Sequence, residues 1–393
     1  MKKLLLASAA SLIAGTAAAE DVPIGIILGF TGPIESLTPM MAESAELALT
    51  EVNESGNFLD GMTLEPVRAD STCIDSAAAT AAAERLISDD EIVAIMGADC
   101  SGVTGAILSN VAVPNGIPMV SPSATSPGLS TAEDEGLFFR TAPSDARQGA
   151  VIAEILIDRD IEEVAVTYTN NDYGKGLADS FQASFEEMGG SVTLAAPHED
   201  GKADYSAEVG ALASAGGEVL AVFGYSDQGG RGMIRAALDS GAFDTFVMGD
   251  GMYGDAMLEE LGQDMEGSFG AVPWAEGEGT EAFSALAEEA GVNGESSFTR
   301  ESYDAAALIA LAMMAGGEAT SEAVAENLMD VANEPGEKIL PGELGRALEI
   351  LAEGGEVDYV GASNVELIGP GEASGTYREY NVTDGTQETV KFH

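Results

Sequence analysis

The chain has 393 residues, 45% of them hydrophobic, with 6% aromatics and 14 prolines, which is the composition of a globular protein and not of a disordered one. Sixteen basic against 67 acidic residues give a formal charge of −51. That balance excludes nucleic acid as a partner, since a phosphate backbone is bound by clustered Lys and Arg, and it disfavours anionic membranes and polyanionic substrates.

The first residues read as an export signal. Lys2 and Lys3 precede the apolar stretch Leu4 to Ile13, and Ala17-Ala18-Ala19 offers a small-residue cleavage site after Ala19. The apolar part is too short to span a bilayer, and no later stretch approaches the ~20 apolar residues a spanning helix needs. No cysteine follows the cleavage site directly. A soluble protein of a bacterial periplasm, without direct membrane insertion, is therefore expected. Cleavage would leave 374 residues with 14 basic side chains, more than one core usually serves, so two domains are expected. The carboxylates lie scattered over helical faces, as in Glu281, Glu288 and Glu289, and read as a solvated surface suited to a saline habitat that screens their repulsion.

Apolar runs then alternate with alanine-rich amphipathic stretches, the pattern of parallel sheets covered by helices. Strands are expected at 22–28, 64–69, 92–96 and 118–120, with helices at 39–53, 76–88 and 101–113 between and after them. Phe138-Phe139-Arg140-Thr141-Ala142-Pro143 looks like a crossing segment that leads into a helix at 146–158. The alternation restarts with strands at 164–169, 191–195, 219–224 and 245–248, and helices at 174–188, 205–215, 229–241 and 255–261. Residues 267–274 read as a crossing back. Helices at 280–290, 303–314 and 321–331 follow, then short strands at 357–361 and 365–367 and a final hairpin about Asp384-Gly385.

Two segments stand at the carboxyl ends of predicted strands and are small and hydroxyl-rich: Ala98-Asp99-Cys100-Ser101-Gly102-Val103-Thr104 and Ser121-Pro122-Ser123-Ala124-Thr125-Ser126. Small side chains there leave backbone N–H groups uncovered, and this edge of an open α/β sheet is where ligands bind. Asn170-Asn171-Asp172-Tyr173-Gly174 and Phe223-Gly224-Tyr225-Ser226 place tyrosines at similar edges. Gly249-Asp250-Gly251-Met252-Tyr253-Gly254 matches the glycine pattern of dinucleotide sites. However, the acidic residue expected about twenty positions on is missing, and the same loop is better used to face Asp250 towards an ammonium group. A solvated or helix-capping Asp250 and ordinary loop tyrosines are the plainer alternatives.

Catalysis has little support. Gly224-Tyr225-Ser226-Asp227-Gln228 fails the nucleophile-elbow pattern at its last position, His198 lies in the polar stretch Pro197-His198-Glu199-Asp200-Gly201, and His393 is terminal. No cofactor or metal site is expected. The two cysteines, Cys73 and Cys100, read first as a disulfide in an exported chain, with free thiols or a metal site as alternatives.

Taken together, Thr31-Gly32-Pro33, Cys73 with Cys100-Ser101, Ser121 to Pro127, Phe139-Arg140-Thr141, Asp172-Tyr173-Gly174, Gly224-Tyr225 and Met248-Gly249-Asp250-Gly251 resemble, over essentially the whole mature chain, the periplasmic branched-chain amino-acid (Leu/Ile/Val) binding proteins of ABC transporters, a branch of type I solute-binding proteins. The resemblance implies an α/β fold of two Rossmann-like lobes with mostly parallel sheets flanked by helices, joined by a multi-strand hinge. Lobe one would comprise 22–142 and 274–374, and lobe two 143–273 and 375–393. It implies that Ser101 and Thr125, with N–H groups near Gly102, hold a ligand carboxylate, and that the Ser123 carbonyl, next to Ala124, and the Asp250 side chain receive its ammonium. Tyr173 and Tyr225 would engage from the second lobe, and Cys73 and Cys100 would be bridged. Leu37 stands where this family often has an aromatic residue, Phe298 could supply aromatic wall elsewhere, and Asp250 is one methylene shorter than the family's frequent Glu. The expected function is capture of an aliphatic L-amino acid by a monomer that delivers it to an inner-membrane ABC permease. Another small carboxylate or zwitterion, a sensory receptor module and an exported enzyme are the alternatives.

Overall fold

The computed structural model describes residues 21–393, so the expected export signal lies outside the described residues. Strand β1 (Asp21–Leu28) is buried from Ile24 onward, as a strand covered on both faces by helices must be. It leads through a loop into α1 (Thr38–Ser55), which has Pro39 in its first turn and stops at Gly56 in the left-handed region. Next come β2 (Thr63–Asp70), α2 (Ser76–Ser88) and β3 (Ala94–Gly97). The Asp75 carboxylate caps α2 by accepting the N–H groups of Ala77 and Ala78 at 3.0 Å. Helix α3 (Ser101–Ile107) continues through a wide turn at 108–112 into α4 (Val113–Asn115), followed by β4 (Met119–Ser121) and β5 (Phe138–Arg140). These strands form an all-parallel sheet in the order β2-β1-β3-β4-β5.

A second sheet begins after α5 (Asp145–Asp158). It is built from β6 (Glu163–Thr169), α6 (Asp172–Glu187), β7 (Ser191–His198), α7 (Ser206–Ala215), β8 (Val219–Phe223), α8 (Gly229–Ser240), β9 (Phe246–Met248), α9 (Asp255–Leu261) and β10 (Phe269–Pro273). The chain then returns to the first sheet with α10 (Glu278–Ala290), α11 (Thr299–Gly316), α12 (Ser321–Val331), β11 (Glu337–Ile339), α13 (Leu344–Ala352), β12 (Val357–Tyr359), β13 (Leu367–Ile368) and β14 (Glu372–Ala373). It crosses once more to add β15 (Tyr377–Thr383) and β16 (Thr386–Phe392) to the second sheet, whose order is β16-β15-β10-β9-β8-β6-β7. Only β15 runs against the other strands there, pairing antiparallel with β10 on one side and β16 on the other. Helix α11 packs on α1 and against β3 and β4, which explains its apolar sequence; among the described residues no single helix is long and apolar enough to cross a membrane.

The alternation read from the sequence holds through both sheets, with several differences, among them that residues 138–140 of the expected crossing form β5 beside β4. Residues 267–274, expected as a crossing, first form β10, which pairs with β9 and β15 before the chain leaves. Strand β11 and helix α13 were not expected; α13 buries Leu344, Ala347 and Leu348 at helical spacing, but Pro341-Gly342 before it reads as loop. His198 does not lie in an open polar loop: it ends β7, is buried, and its Nδ1 meets the Thr167 hydroxyl at 2.8 Å.

In each sheet the strand order reverses at one place, between β1 and β3 in the first and between β6 and β8 in the second. Chains leaving neighbouring strands at such a point diverge to opposite faces, which opens a crevice at the carboxyl ends. The loops after β1 and β3 thus come from one crevice, and those after β6 and β8 from the other.

Candidate ligand-binding cleft

Loops from both crevices enclose one small cavity. Ser101 and Ser123 contribute from the first sheet, Tyr173, Tyr225 and Asp250 from the second, and Leu37 and Phe298 complete the wall. All seven are residues singled out in the sequence. The space left between these side chains is small, about 20 Å³, and excludes a dinucleotide. Ile34, Asp99, Cys100 and Gly251 also line it and were missed as site residues. The remaining expected residues stand outside the lining. Gly102 opens onto an adjoining crevice with Asn170, Asn171 and Asp172. Ala124 and Thr125 are buried residues of the 121–126 loop that do not line the cavity.

The first-sheet side is tied together by its own hydroxyls. Ser101 opens α3, and its Oγ accepts the Ser126 N–H at 3.1 Å, while Ser123 Oγ donates to the Asp99 carbonyl at 3.1 Å. From behind, fully buried Arg140 donates to the carbonyls of Ala124 and Ser126 at 3.0 Å and pairs with Glu372. The Cys73–Cys100 disulfide is formed, joining the loop after β2 to the start of α3. Asp99 accepts the Gly29 N–H at 2.6 Å and the Ser71 hydroxyl at 3.0 Å, so it fastens the loop after β1 to the loop after β3.

On the second-sheet side, Asp250 Oδ1 accepts the Tyr173 hydroxyl at 2.7 Å and the Gly251 N–H at 2.8 Å. Only glycine fits at 251, because a Cβ there would stand 2.6 Å from the Gly224 carbonyl. Tyr225 stacks on Tyr173 with ring centres 5.2 Å apart, and its hydroxyl accepts from Asn171 Nδ2 at 3.1 Å. The tyrosines are thus fixed walls and not loose loop aromatics.

The electrostatics of the cavity are those of an acidic site. No Lys or Arg lines it. Burial pushes the Asp250 carboxyl up to about 6, against the pull of its Tyr173 and Gly251 hydrogen bonds. Asp145, the first residue of α5, is driven well above the usual carboxylate range by burial and then by the nearby Asp250 charge, with Thr125 and Arg140 easing it. Neither Asp145 oxygen nor the Thr125 hydroxyl closes a hydrogen bond. Glu301 in the first turn of α11 is pushed up to about 7, chiefly by burial. Asp99, Asp145, Glu301 and Asp304 therefore correct the expectation of carboxylates as solvated surface; Glu281, Glu288 and Glu289 do lie exposed on α10. Buried His198 is held near 4 by desolvation and stays neutral at pH 7. No group of three or more His, Cys, Asp or Glu is arranged to hold a metal among the described residues.

Comparison with known proteins agrees with this architecture. Residues 21–346 match the family model described as periplasmic binding protein. The chain is 31% identical to a chemotactic signal transduction system substrate-binding protein, BasB, of Halobacterium salinarum, over 95% of this chain and 89% of the relative. It is 30% identical to a Leu/Ile/Val-binding protein homolog of Brucella melitensis, covering 84% and 89% of the two chains. The crystal structure of a leucine binding protein from Thermotoga maritima superposes with a TM-score of 0.78 at 22% identity, over 94% of this chain and 98% of the other.

Proposed function

The chain belongs to the periplasmic binding protein family, and we propose that it captures an aliphatic L-amino acid between two lobes and presents it to an inner-membrane ABC permease. The lobes are residues 22–142 with 274–374 and residues 143–273 with 375–393, and they close on the solute by hinge motion. The exported chain works as a monomer in the periplasm.

The observation that carries this reading is the pairing of Asp250 with hydroxyl-rich loops across one cavity lined by no cationic side chain. A zwitterion satisfies both sides. Its carboxylate is held by the Ser101 hydroxyl and by N–H groups at the start of α3, with the Thr125 hydroxyl buried behind the wall and without a hydrogen-bond partner. Its ammonium goes to Asp250 and the Ser123 carbonyl, with the unpartnered Asp145 carboxylate behind them. An acid without an amine would leave Asp250 buried and unpaired, at a cost of several kcal/mol. The aliphatic side chain meets Ile34, Leu37 and Phe298. The Leu/Ile/Val-binding homolog of Brucella melitensis supports the same solute class.

Thermal-shift screening of the proteinogenic amino acids, with benzoate and simple diacids as controls, tests the reading. A true solute at ~100 times its Kd adds about 2.7 kcal/mol of stability. Stabilisation by benzoate and by no amino acid would overturn it. A second reading, presentation of the closed form to a membrane sensor, is favoured by the chemotactic relative BasB. Affinity capture with the ligand-loaded protein separates the two by recovering either a permease or a sensor.

A further inference from the structure

The loop between β1 and α1 touches the loop after β8 across the mouth of the cleft. Asp227 Oδ2 accepts the Ser36 N–H at 2.8 Å, and Oδ1 accepts the Ser36 hydroxyl at 2.9 Å. In return the Asp227 N–H donates to the Pro33 carbonyl at 3.1 Å. Among the described residues, the hydrogen bonds joining the two sides away from the crossing segments involve Asp227, apart from the Asp145 N–H at the start of α5, which donates to the Thr125 carbonyl at 2.8 Å. Elsewhere across the cleft the sides meet by packing alone, as where Gly176 of α6 faces Pro127 so closely that an added Cβ would lie 2.8 Å from the proline ring.

We infer that Asp227 is the latch of the cleft, a positioning residue that controls how long a solute stays bound. This rests on the two-lobe reading above. The sequence spacing gives the mechanism. Ser36 immediately precedes Leu37, and Asp227 lies two residues after Tyr225, so both partners are chain neighbours of side chains that wall the cavity. Drawing Ser36 onto Asp227 seats Leu37 and Tyr225 against the solute, and parting them lifts both walls at once. The bidentate geometry is specific, because one carboxylate takes a backbone donor and a hydroxyl of the same residue, and no neighbouring type offers that pair of donors except Thr. Arg231 braces the latch loop from its own side by donating to the Asp227 carbonyl at 2.6 Å. Ser36 is exposed and Asp227 half-buried, so the contact forms and breaks without opening either core.

The test uses the full mature chain with L-leucine as probe. Stopped-flow displacement measures dissociation, and hydrogen exchange follows a peptide spanning residues 30–38 with and without leucine. Asp227→Ala should speed dissociation about ten- to a hundredfold while changing association little, since losses at such contacts fall mainly on the off-rate. The same substitution should abolish exchange protection at Ser36. Asp227→Asn, which keeps one acceptor, and Ser36→Ala, which keeps the N–H, should fall between it and wild type, and they carry the test if Asp227→Ala proves unstable. Unchanged dissociation in all three variants overturns the latch while leaving amino-acid capture standing. Free exchange at Ser36 in wild type, with and without leucine, also overturns it. Protection that depends on Asp227 in a protein that binds no amino acid upholds the latch and overturns the proposed solute.

Discussion

The Tyr173 hydroxyl stands 2.7 Å from Asp250 Oδ1, and both accept the Gly251 N–H, at 3.0 and 2.8 Å. This closed triangle fixes one oxygen of the carboxylate and leaves the other to meet a solute. Asp250→Ala should lower amino-acid affinity at least a hundredfold, in line with removing one partner of a buried charge pair. Tyr173→Phe, which only loosens the carboxylate, should cost about tenfold, near the net worth of a hydrogen bond to a charged group. Calorimetric titration with leucine checks both.

The pH dependence follows from buried acids. Asp250 and Asp304 are raised to about 6 and Glu301 to about 7, each mainly by burial. Folded values above unfolded ones mean that the folded chain keeps protons the unfolded chain releases. These groups therefore stabilise fully below about pH 4 and lose that contribution as pH rises through 6 to 7. The ligand-free melting temperature should fall by a few degrees between pH 5 and 8, and Glu301→Gln should flatten part of the slope. A bound ammonium reverses the sign for Asp250 by favouring its charged form. Affinity for leucine should accordingly rise from pH 5 to 7 and then level off. Tighter binding at pH 5 than at pH 8 would contradict this.

The Cys73–Cys100 bridge spans 27 positions, and the loop-entropy account assigns a bridge of that size roughly 3 kcal/mol. Cys73→Ser with Cys100→Ser should lower the melting temperature by several degrees. It should also weaken leucine binding, because Cys100 lines the cavity beside Ser101. Denaturant unfolding of the reduced wild type should reproduce the loss.

Leu37 and Phe298 set the width of the apolar end. Leu37 Cδ2 already lies 3.2 Å from where a Cβ on Gly254 would stand, so this wall has no slack. Leu37→Ala should cost about tenfold for leucine and raise the relative affinity for phenylalanine, as expected for a few methylenes of pocket. Competition binding between the two amino acids measures the shift.

Arg140 is fully buried under the 121–126 loop and supports it through two carbonyls and Glu372. Arg140→Ala should destabilise by about 3–5 kcal/mol, the range for breaking a buried ion pair. Arg140→Lys should recover little of it, because a single ammonium cannot reproduce the guanidinium fork. Guanidinium chloride unfolding of the two variants decides the matter.

Much of this site was legible in the chain because strand ends in parallel sheets announce themselves. An apolar run that breaks into Ser, Gly or Tyr marks a carboxyl edge, and Ser101, Ser123, Tyr173, Tyr225 and Asp250 all stood at such breaks. What escaped notice was burial that depends on distant packing. Asp145 and Glu301 sit in first turns of helices, where an acid is favoured locally whether or not water reaches it, and only the crossing of the chain between sheets encloses them. Asp227 carried no role in the sequence, since its partner Ser36 lies 191 positions away. Helix α13 was legible in principle, since Leu344, Leu348 and Leu351 carry its period.

The last strands of the chain have a bearing on its biogenesis. Strands β15 and β16 close the second sheet beside β10, and α11, more than 150 residues after β5, covers the first. No N-terminal portion emerging from a ribosome can therefore assemble either half completely, because each waits for segments made near the end. Apolar faces of the early strands wait for partners synthesised much later, so each half completes its packing only when those segments arrive.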